Sequence, residues 1–295
     1  MLRTLTAACA LLAFASPALS QDADALRQAV AAYAQPSNAD RLAVLTGQLE
    51  AAGLDYEIQT FEGGGRPGAT TGSNVIVTLG DGERDLLLTA HYDAVVLQSG
   101  ELADGLVDNA ASTVALIEAA KAIRAHDLNH RVRVIFFDQE ELGLIGAQRW
   151  IAANGTQRVS AVVNSDVAAF GDTLMYGENN GERSRFVLTA LREECAERAL
   201  TCVGFPVYPP SDDRAFIAAE TPVVSIGFQN RVGAHQMWLA FNGGETTGLA
   251  PGFVPEVFQL IHSEGDVLEA VDPATVALAA EVYVDLILRL DAAAR

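Results

Sequence analysis

From residue 85 onward the sequence alternates short apolar runs with segments of helical period, and no other feature constrains the fold as tightly. Residues 85–90, 131–137 and 159–163 are apolar and of strand length, as strands covered on both faces must be. Residues 110–125 place Val114, Ile117, Ala120 and Ile123 near one helix face, and residues 143–153, 183–198, 213–219 and 273–290 also read as helices. Shorter strands are expected at 172–176, 202–205 and 222–227. Strand, helix and strand in succession require crossover connections, hence parallel pairing with helices packed on the sheet. Ahead of this region, residues 56–61 and 74–79 alternate like hairpin strands, with a glycine-rich turn at 63–68 between them. Two helices come first, at 24–34 and after Ser37, which caps a segment with Leu42, Leu45 and Leu49 on its apolar face. The fold class is therefore α/β: a mixed, mostly parallel central β-sheet with helices on both faces. Residues 229–260, rich in glycine and aromatics, show no clear period and read as a long loop.

Open α/β sheets bind ligands beyond the carboxyl ends of their strands. Here the strand at 85–90 runs into His91-Tyr92-Asp93, that at 131–137 into Asp138-Gln139-Glu140-Glu141, and that at 159–163 into Asn164-Ser165-Asp166. Asp108 stands just before the helix at 110. Imidazole nitrogen and carboxylate oxygen are zinc donors. Two neighbouring zinc ions need a bridging group and terminal ligands for each. Asp108 as bridge, His91 and Asp166 on one ion, and Glu141 and His262 on the other meet that need. His91 and Asp93 share a strand face, so Asp93 can fix the imidazole tautomer. Glu140 and Glu141 are adjacent and point differently, so Glu141 can bind metal while Glu140 takes a proton from water. Each residue also has a plainer reading: a satisfied strand-end histidine at 91, a helix cap at Asp108-Asn109, a turn residue at 166, a solvated pair at 140–141.

Together these residues resemble the co-catalytic di-zinc exopeptidases, a family that includes secreted bacterial aminopeptidases, aminopeptidase Y and glutamate carboxypeptidases, with glutaminyl cyclases as relatives. The resemblance covers about residues 74–273. It rests on His91-Tyr92-Asp93-Ala94, Gly105-Leu106-Val107-Asp108-Asn109-Ala110-Ala111-Ser112, Phe137-Asp138-Gln139-Glu140-Glu141-Leu142-Gly143-Leu144-Ile145-Gly146, Asn164-Ser165-Asp166, Ser211-Asp212 and Ile261-His262-Ser263. It implies that His91, Asp108, Glu141, Asp166 and His262 hold two zinc ions, that Glu140 is the general base and that Asp93 supports His91. Tyr208 matches a tyrosine that stabilises the tetrahedral intermediate in some secreted aminopeptidases; it also reads as a loop tyrosine. One departure stands out: many relatives carry histidine after Ser-Asp, where this chain has Asp213.

The remaining features bound the setting. Met1-Leu2-Arg3, an apolar stretch over residues 5–14 and Ala18-Leu19-Ser20 have the anatomy of a secretory signal peptide, so residues 1–20 are expected to be removed and 21–295 to form one peptidase domain. The destination is then periplasmic or extracellular. No later segment is apolar for long enough to span a bilayer. A formal charge of −19 argues against nucleic-acid and anionic-membrane partners. Cys195 and Cys202 are expected to form a disulfide, as exported proteins preserve such pairs. The expected partner is a peptide with a free N-terminus, because the scattered Arg183, Arg185 and Arg231 form no cluster to hold a terminal carboxylate. His235, Met237, Trp238 and Phe241 are candidates either to line a substrate pocket or to pack residues 229–260 onto the body. Alternatives are a glutaminyl cyclase-like acyl transferase, a carboxypeptidase and a non-catalytic binding relative. The sequence leaves the oligomeric state open.

Overall fold

The structure is a computed structural model that describes residues 22–63, 71–244 and 247–293. The expected leader and most of the glycine-rich turn lie outside the described residues. Helices α1 (Ala23–Ala31) and α2 (Asn38–Ala51) come first, followed by strands β1 (Tyr56–Glu62), β2 (Thr71–Leu79) and β3 (Asp85–His91). Ser37 caps α2 as its residue type predicts, its hydroxyl accepting the Asp40 N–H at 3.1 Å. Then come α3 (Ala111–Ile123), β4 (Arg131–Phe137), α4 (Ile145–Asn154), β5 (Val159–Ser165) and β6 (Thr173–Gly177). Helix α5 (Arg185–Glu197), β7 (Thr201–Phe205), α6 (Asp213–Ala218) and β8 (Val223–Gln229) follow. Helices α7 (Arg231–Asn242), α8 (Glu256–Leu260) and α9 (Pro273–Ala293) complete the chain.

The eight strands form one sheet in the order β1-β2-β4-β3-β5-β8-β6-β7. Its centre, β4-β3-β5-β8, is parallel, while β1, β2 and the β8–β6 pair run antiparallel. Apolar residues alternate between the faces with period two, as a pleated strand requires. Leu86, Leu88, Val132, Val134, Ala161 and Val163 face the larger core, shared with α1, α2, α3, α5 and α9. Leu87, Ile135, Phe137 and Val162 face a smaller core closed by Trp150 of α4 and Phe216 of α6. Helices thus cover both faces.

Two features depart from expectation. Residues 229–260 are not one loop, because α7 and α8 lie within them. Asn230 caps α7 by accepting the Gly233 N–H at 2.8 Å. Gly233 weakens the helical pattern in sequence, and packing of buried Met237 compensates. On α2, Arg41 rather than Leu42 joins Leu45 and Leu49 in the interior. Cys195 and Cys202 are joined by a disulfide between the end of α5 and β7. Among the described residues no helix is long and apolar enough to cross a membrane.

Candidate metal centre

The three strands that end in acids or histidine are neighbours in the sheet, in the order β4, β3, β5. Parallel neighbours lie ~5 Å apart, so residues just past their carboxyl ends converge. His91 ends β3 opposite Phe137, and the chain after Phe137 carries Asp138, Glu140 and Glu141. Two overlapping donor groups result, His91–Asp108–Asp166 and Asp108–Glu141–His262, each with its ligand atoms within 4.8 Å of one another. Asp108 belongs to both. His91 Nε2 lies 3.0 Å from Asp108 Oδ1 and 3.9 Å from Asp166 Oδ1. His262 Nε2 lies 3.2 Å from Asp108 Oδ2 and 3.0 Å from Glu141 Oε2.

Short contacts of this kind do not satisfy the acids. Asp108 Oδ1, Glu141 Oε1 and Asp166 Oδ1 are buried and have no hydrogen-bond partner among the described residues. A buried carboxylate oxygen without a donor costs several kcal/mol, about the penalty a bound cation removes. Imidazole nitrogens among carboxylate oxygens are the donor set of zinc. The residues present therefore fit a divalent cation in each group.

Electrostatics carry the same message. Burial pushes Glu141 up to about 7 and Glu140 up to about 10, with neighbouring acids adding to the shift in both. The carboxylates of Asp108 and Glu141 accept hydrogen bonds from His262 and hold its imidazolium up to about 10. For His91 burial opposes the charge, but Glu140, Asp108, Asp166 and Asp93 outweigh it and raise the group well above its usual range. Asp108 is the counterpart: burial opposes its ionisation, the two imidazoles override that, and it sits below the ordinary carboxylate range.

A hydrogen-bond frame sets these positions. Asp93 approaches His91 Nδ1 at 3.4 Å, and its carboxylate also accepts the N–H groups of Glu140 at 3.1 Å and Glu141 at 3.3 Å. It therefore orients both glutamates as well as the imidazole. Asn74 accepts the Asp138 N–H at 3.1 Å and donates to Gly146 O at 2.9 Å, closing the turn that carries the glutamates. A side chain at Gly146 would lie 2.3 Å from Asp138 O, which accounts for glycine there. Asp108 lies in a wide turn over Leu106–Ala110 with Asp108 and Asn109 in non-helical conformations, so Asp108 is not a simple helix cap. Asn109 donates to Ser165 O at 2.9 Å and accepts from Val167 N at 3.1 Å, spanning Asp166 and fixing its distance from Asp108. Asp266 accepts from Val107 N at 2.6 Å and from Asp108 N at 3.2 Å. Gln139, Val167 and His262 have positive φ. Such conformations cost on the order of 1 kcal/mol or more in residues with a Cβ, and they persist here beside the acids the site needs.

All eight residues singled out from sequence converge on this edge. Tyr208 lines the same cavity as Asp108, Glu140, Asp166 and His262, and burial near Asp166 keeps its phenol protonated far above the usual range. The cavity, about 260 Å³, continues into Met175, Met237, Phe241, Val257, Phe258 and Ile261. Trp238 instead donates to Gly204 O at 3.0 Å and packs on the core. His235 is exposed and faces Arg231 O at 2.8 Å. Asp213 accepts the Ser211 N–H at 2.9 Å and braces the Ser-Asp turn. The sequence reading gave no role to Asp212 or Asp266. Asp212 is fully buried with neither oxygen partnered, and burial holds it protonated, well above its usual range. Its only sequence signal was membership of the Ser211-Asp212 motif. Arg183 and Arg185 pair with Glu220 and Glu182 at the surface, away from the site.

Comparison with known proteins agrees with this arrangement. Among solved structures, the Legionella pneumophila LapA aminopeptidase matches with a TM-score of 0.68 at 16% identity, over 92% of this chain and 72% of that one. Porphyromonas gingivalis glutaminyl cyclase matches with a TM-score of 0.69 at 18% identity, over 92% and 98%. BSAP, a zinc aminopeptidase from Bacillus subtilis, matches with a TM-score of 0.58 at 19% identity, over 75% of this chain but only 50% of its own. At such identities the likeness is one of fold. No curated protein sequence matches the chain significantly. The sequence model of peptidase family M28 matches residues 74–287, most of the chain and every residue of the two donor groups. The chain therefore belongs to peptidase family M28.

Proposed function

We propose that this peptidase is an exported di-zinc aminopeptidase that releases single apolar residues from peptides with a free N-terminus. The observation that carries the reading is the sharing of Asp108 by two donor groups, which suits a bridged pair of ions. His91 and Asp166 would hold one zinc and Glu141 and His262 the other, with Asp108 between. Bound zinc supplies a Lewis acid and lowers the pKa of a water. Glu140 opens onto the same cavity and is anchored through its N–H to Asp93. Once the surrounding acids are compensated, Glu140 falls back toward a range where it takes a proton from the attacking water and returns it to the leaving amine. Tyr208, kept protonated, donates to the oxygen on which charge develops. The apolar cavity wall supports a preference for an apolar side chain beside the scissile bond. Export is supported by the leader anatomy of residues 1–20 and by the disulfide, a bond kept in oxidising compartments.

Metal analysis with a substrate panel tests the reading. Two zinc ions per chain, turnover of leucyl peptides and its loss on acetylating the substrate amine are expected. One zinc at saturation, with cyclisation of N-terminal glutamine, would replace it with acyl transfer. Rapid release of the carboxyl-terminal residue from an acetylated peptide would make the enzyme a carboxypeptidase.

A further inference from the structure

Helix α2 lies outside residues 74–287, the region matched by the family, yet two of its side chains reach the segments that carry the metal-site residues. Arg41 is fully buried. Its Nε donates to Tyr92 O at 2.7 Å, between His91 and Asp93. Its Nη1 donates to Asp104 O at 2.6 Å and Tyr33 O at 2.8 Å, and its Nη2 to Gly105 O at 3.1 Å. One turn earlier, Asn38 accepts the Ala94 N–H at 2.9 Å and donates to Ala94 O at 3.2 Å.

The planar fork of an arginine can hold several carbonyls in fixed relative positions, which a lysine ammonium on a flexible stem cannot. Three of these carbonyls belong to two separate segments, one entering Asp93 and the other leading to Asp108, while the fourth, Tyr33 O, ties the guanidinium to the chain just past α1. A side chain at Gly105 would lie 2.7 Å from Ala94 Cβ and 3.2 Å from Arg41 Nη1, so the two segments and the guanidinium are in close contact. Asp266 grips the same turn from its other side through Val107 N and Asp108 N. The turn that presents the shared carboxylate is thus clamped between a guanidinium on its carbonyls and the Asp266 side chain on its N–H groups. The Arg41 hydrogen bonds among the described residues go to main-chain carbonyls.

We propose that Arg41 and Asn38 are positioning residues of the metal centre: α2 fixes the separation between the His91–Asp93 segment and the Asp108 turn, and so sets zinc affinity. The proposal rests on the di-zinc reading above. Groups that orient metal ligands typically contribute about 10–100-fold in affinity.

Zinc binding to metal-free protein, measured by competition with a chromogenic chelator, tests this alongside the thermal melt of each metal-free variant. R41K keeps the charge but loses the fork; it is expected to bind zinc about 10–100-fold more weakly at a temperature where it is fully folded. N38A removes the Ala94 pair at the less buried end and is expected to weaken binding severalfold. At saturating zinc R41K should lower kcat with little change in KM, since neither residue lines the substrate cavity. A folded R41K with zinc affinity within twofold of the parent overturns the proposal and leaves Arg41 a core residue. Where R41K does not fold, N38A decides: unchanged affinity overturns the proposal equally. A parent chain that binds no zinc is a different failure, because it removes the metal reading itself.

Discussion

The two ends of the central strands treat their acids in opposite ways. At the amino ends of β3 and β4, Asp85 receives Arg131 Nε at 2.6 Å and Nη2 at 3.1 Å. Beside it, Asp291 of α9 accepts the N–H groups of Asn129 at 3.0 Å and His130 at 2.8 Å and faces His130 Nδ1 at 3.0 Å. Further along the same flank, Arg198 and Arg289 bridge the acids of α5 and α9. At the carboxyl ends, by contrast, buried oxygens of Asp108, Glu141, Asp166 and Asp212 have no hydrogen-bond partner among the described residues. A chain with twice as many acids as bases has the means to pair selectively, and Arg131, Arg198 and Arg289 are paired with acids on this flank. The contrast marks the edge of the sheet whose donors fit a cation. The acids at the amino ends carry protein donors, whereas Asp108, Glu141 and Asp166 each keep a buried oxygen without one among the described residues.

The largest expected effect lies at the unpaired end. Glu140→Gln should leave zinc in place and lower kcat by about 10²–10⁴-fold, the usual contribution of a general base. Glu141→Gln should instead release one ion. Metal content and turnover measured on the same samples separate the two glutamates. Equal metal loss in both variants would break the division of labour and make both of them ligands.

Stability against pH should divide between the two ends. In metal-free protein Glu141, Asp138 and Asp266 are raised to about 7, Asp213 to about 6 and Glu140 to about 10, each chiefly by burial. The folded state then binds more protons than the unfolded one, so stability falls as pH rises from about 5 toward 10. His262 acts in the same direction: its contribution is complete below its unfolded value near 6.5 and is lost as pH rises through about 10. Asp291 is opposite in sign. Burial raises it, but the N–H groups of Asn129 and His130 outweigh that and hold it below the ordinary range, so its contribution is lost as pH falls. Melting temperatures of metal-free protein should therefore decline from pH 5.5 to pH 8.5. Zinc at a thousandfold its Kd should restore about 4 kcal/mol at the upper pH, where the ligands hold fewer protons for the metal to displace. A metal-free melt that rises over this interval would contradict compensation by protons.

The paired flank should respond in stability alone. The Cys195–Cys202 bridge closes a loop of sequence separation 7, and its removal in a Cys195→Ser, Cys202→Ser protein should cost about 2 kcal/mol by the loop-entropy relation. Zinc affinity and kcat at 25 °C should be unchanged. A parallel loss of zinc affinity would show that the flank communicates with the site and would dissolve the contrast.

The fold was legible where burial imposes a regular pattern. β3, β4 and β5 are covered on both faces, so their apolar runs mark their limits, and the acids beyond them mark the site. Asp93 and the two glutamates were readable because they follow the carboxyl ends of buried strands, and Asp108 because it stands just before a helix of clear period. Arg41 was not, although it falls in register with Leu45 and Leu49; a cation on an apolar stripe reads as solvated until its carbonyl partners, distant in sequence, come into view. Asp266 and Asn109 were missed as positioning residues for the same reason, since their partners are main-chain groups that leave no trace in residue type. Helix α7 escaped because its hydrophobic period is interrupted, with exposed Val232 and partly exposed Phe241 on a segment that also builds the cavity rim.

The smallest predicted effect concerns that rim. Phe241 lines the cavity, is 38% exposed and stacks on Phe258 at 5.8 Å, whereas Trp238 is tied to Gly204 O and absent from the lining. A half-exposed ring at the mouth can touch the outer part of a long side chain but not the methyl of alanine. Phe241→Ala should therefore raise KM for leucyl substrates about 3- to 10-fold more than for alanyl ones, the lower part of the range that one or two methylenes contribute in an apolar pocket. Its kcat should be unchanged. Trp238→Ala should raise KM for both substrates alike, if at all, and lower the melting temperature. A leucyl-specific loss in Trp238→Ala with none in Phe241→Ala would reverse the assignment, making the core-packed face of α7 the specificity wall and its exposed face the support.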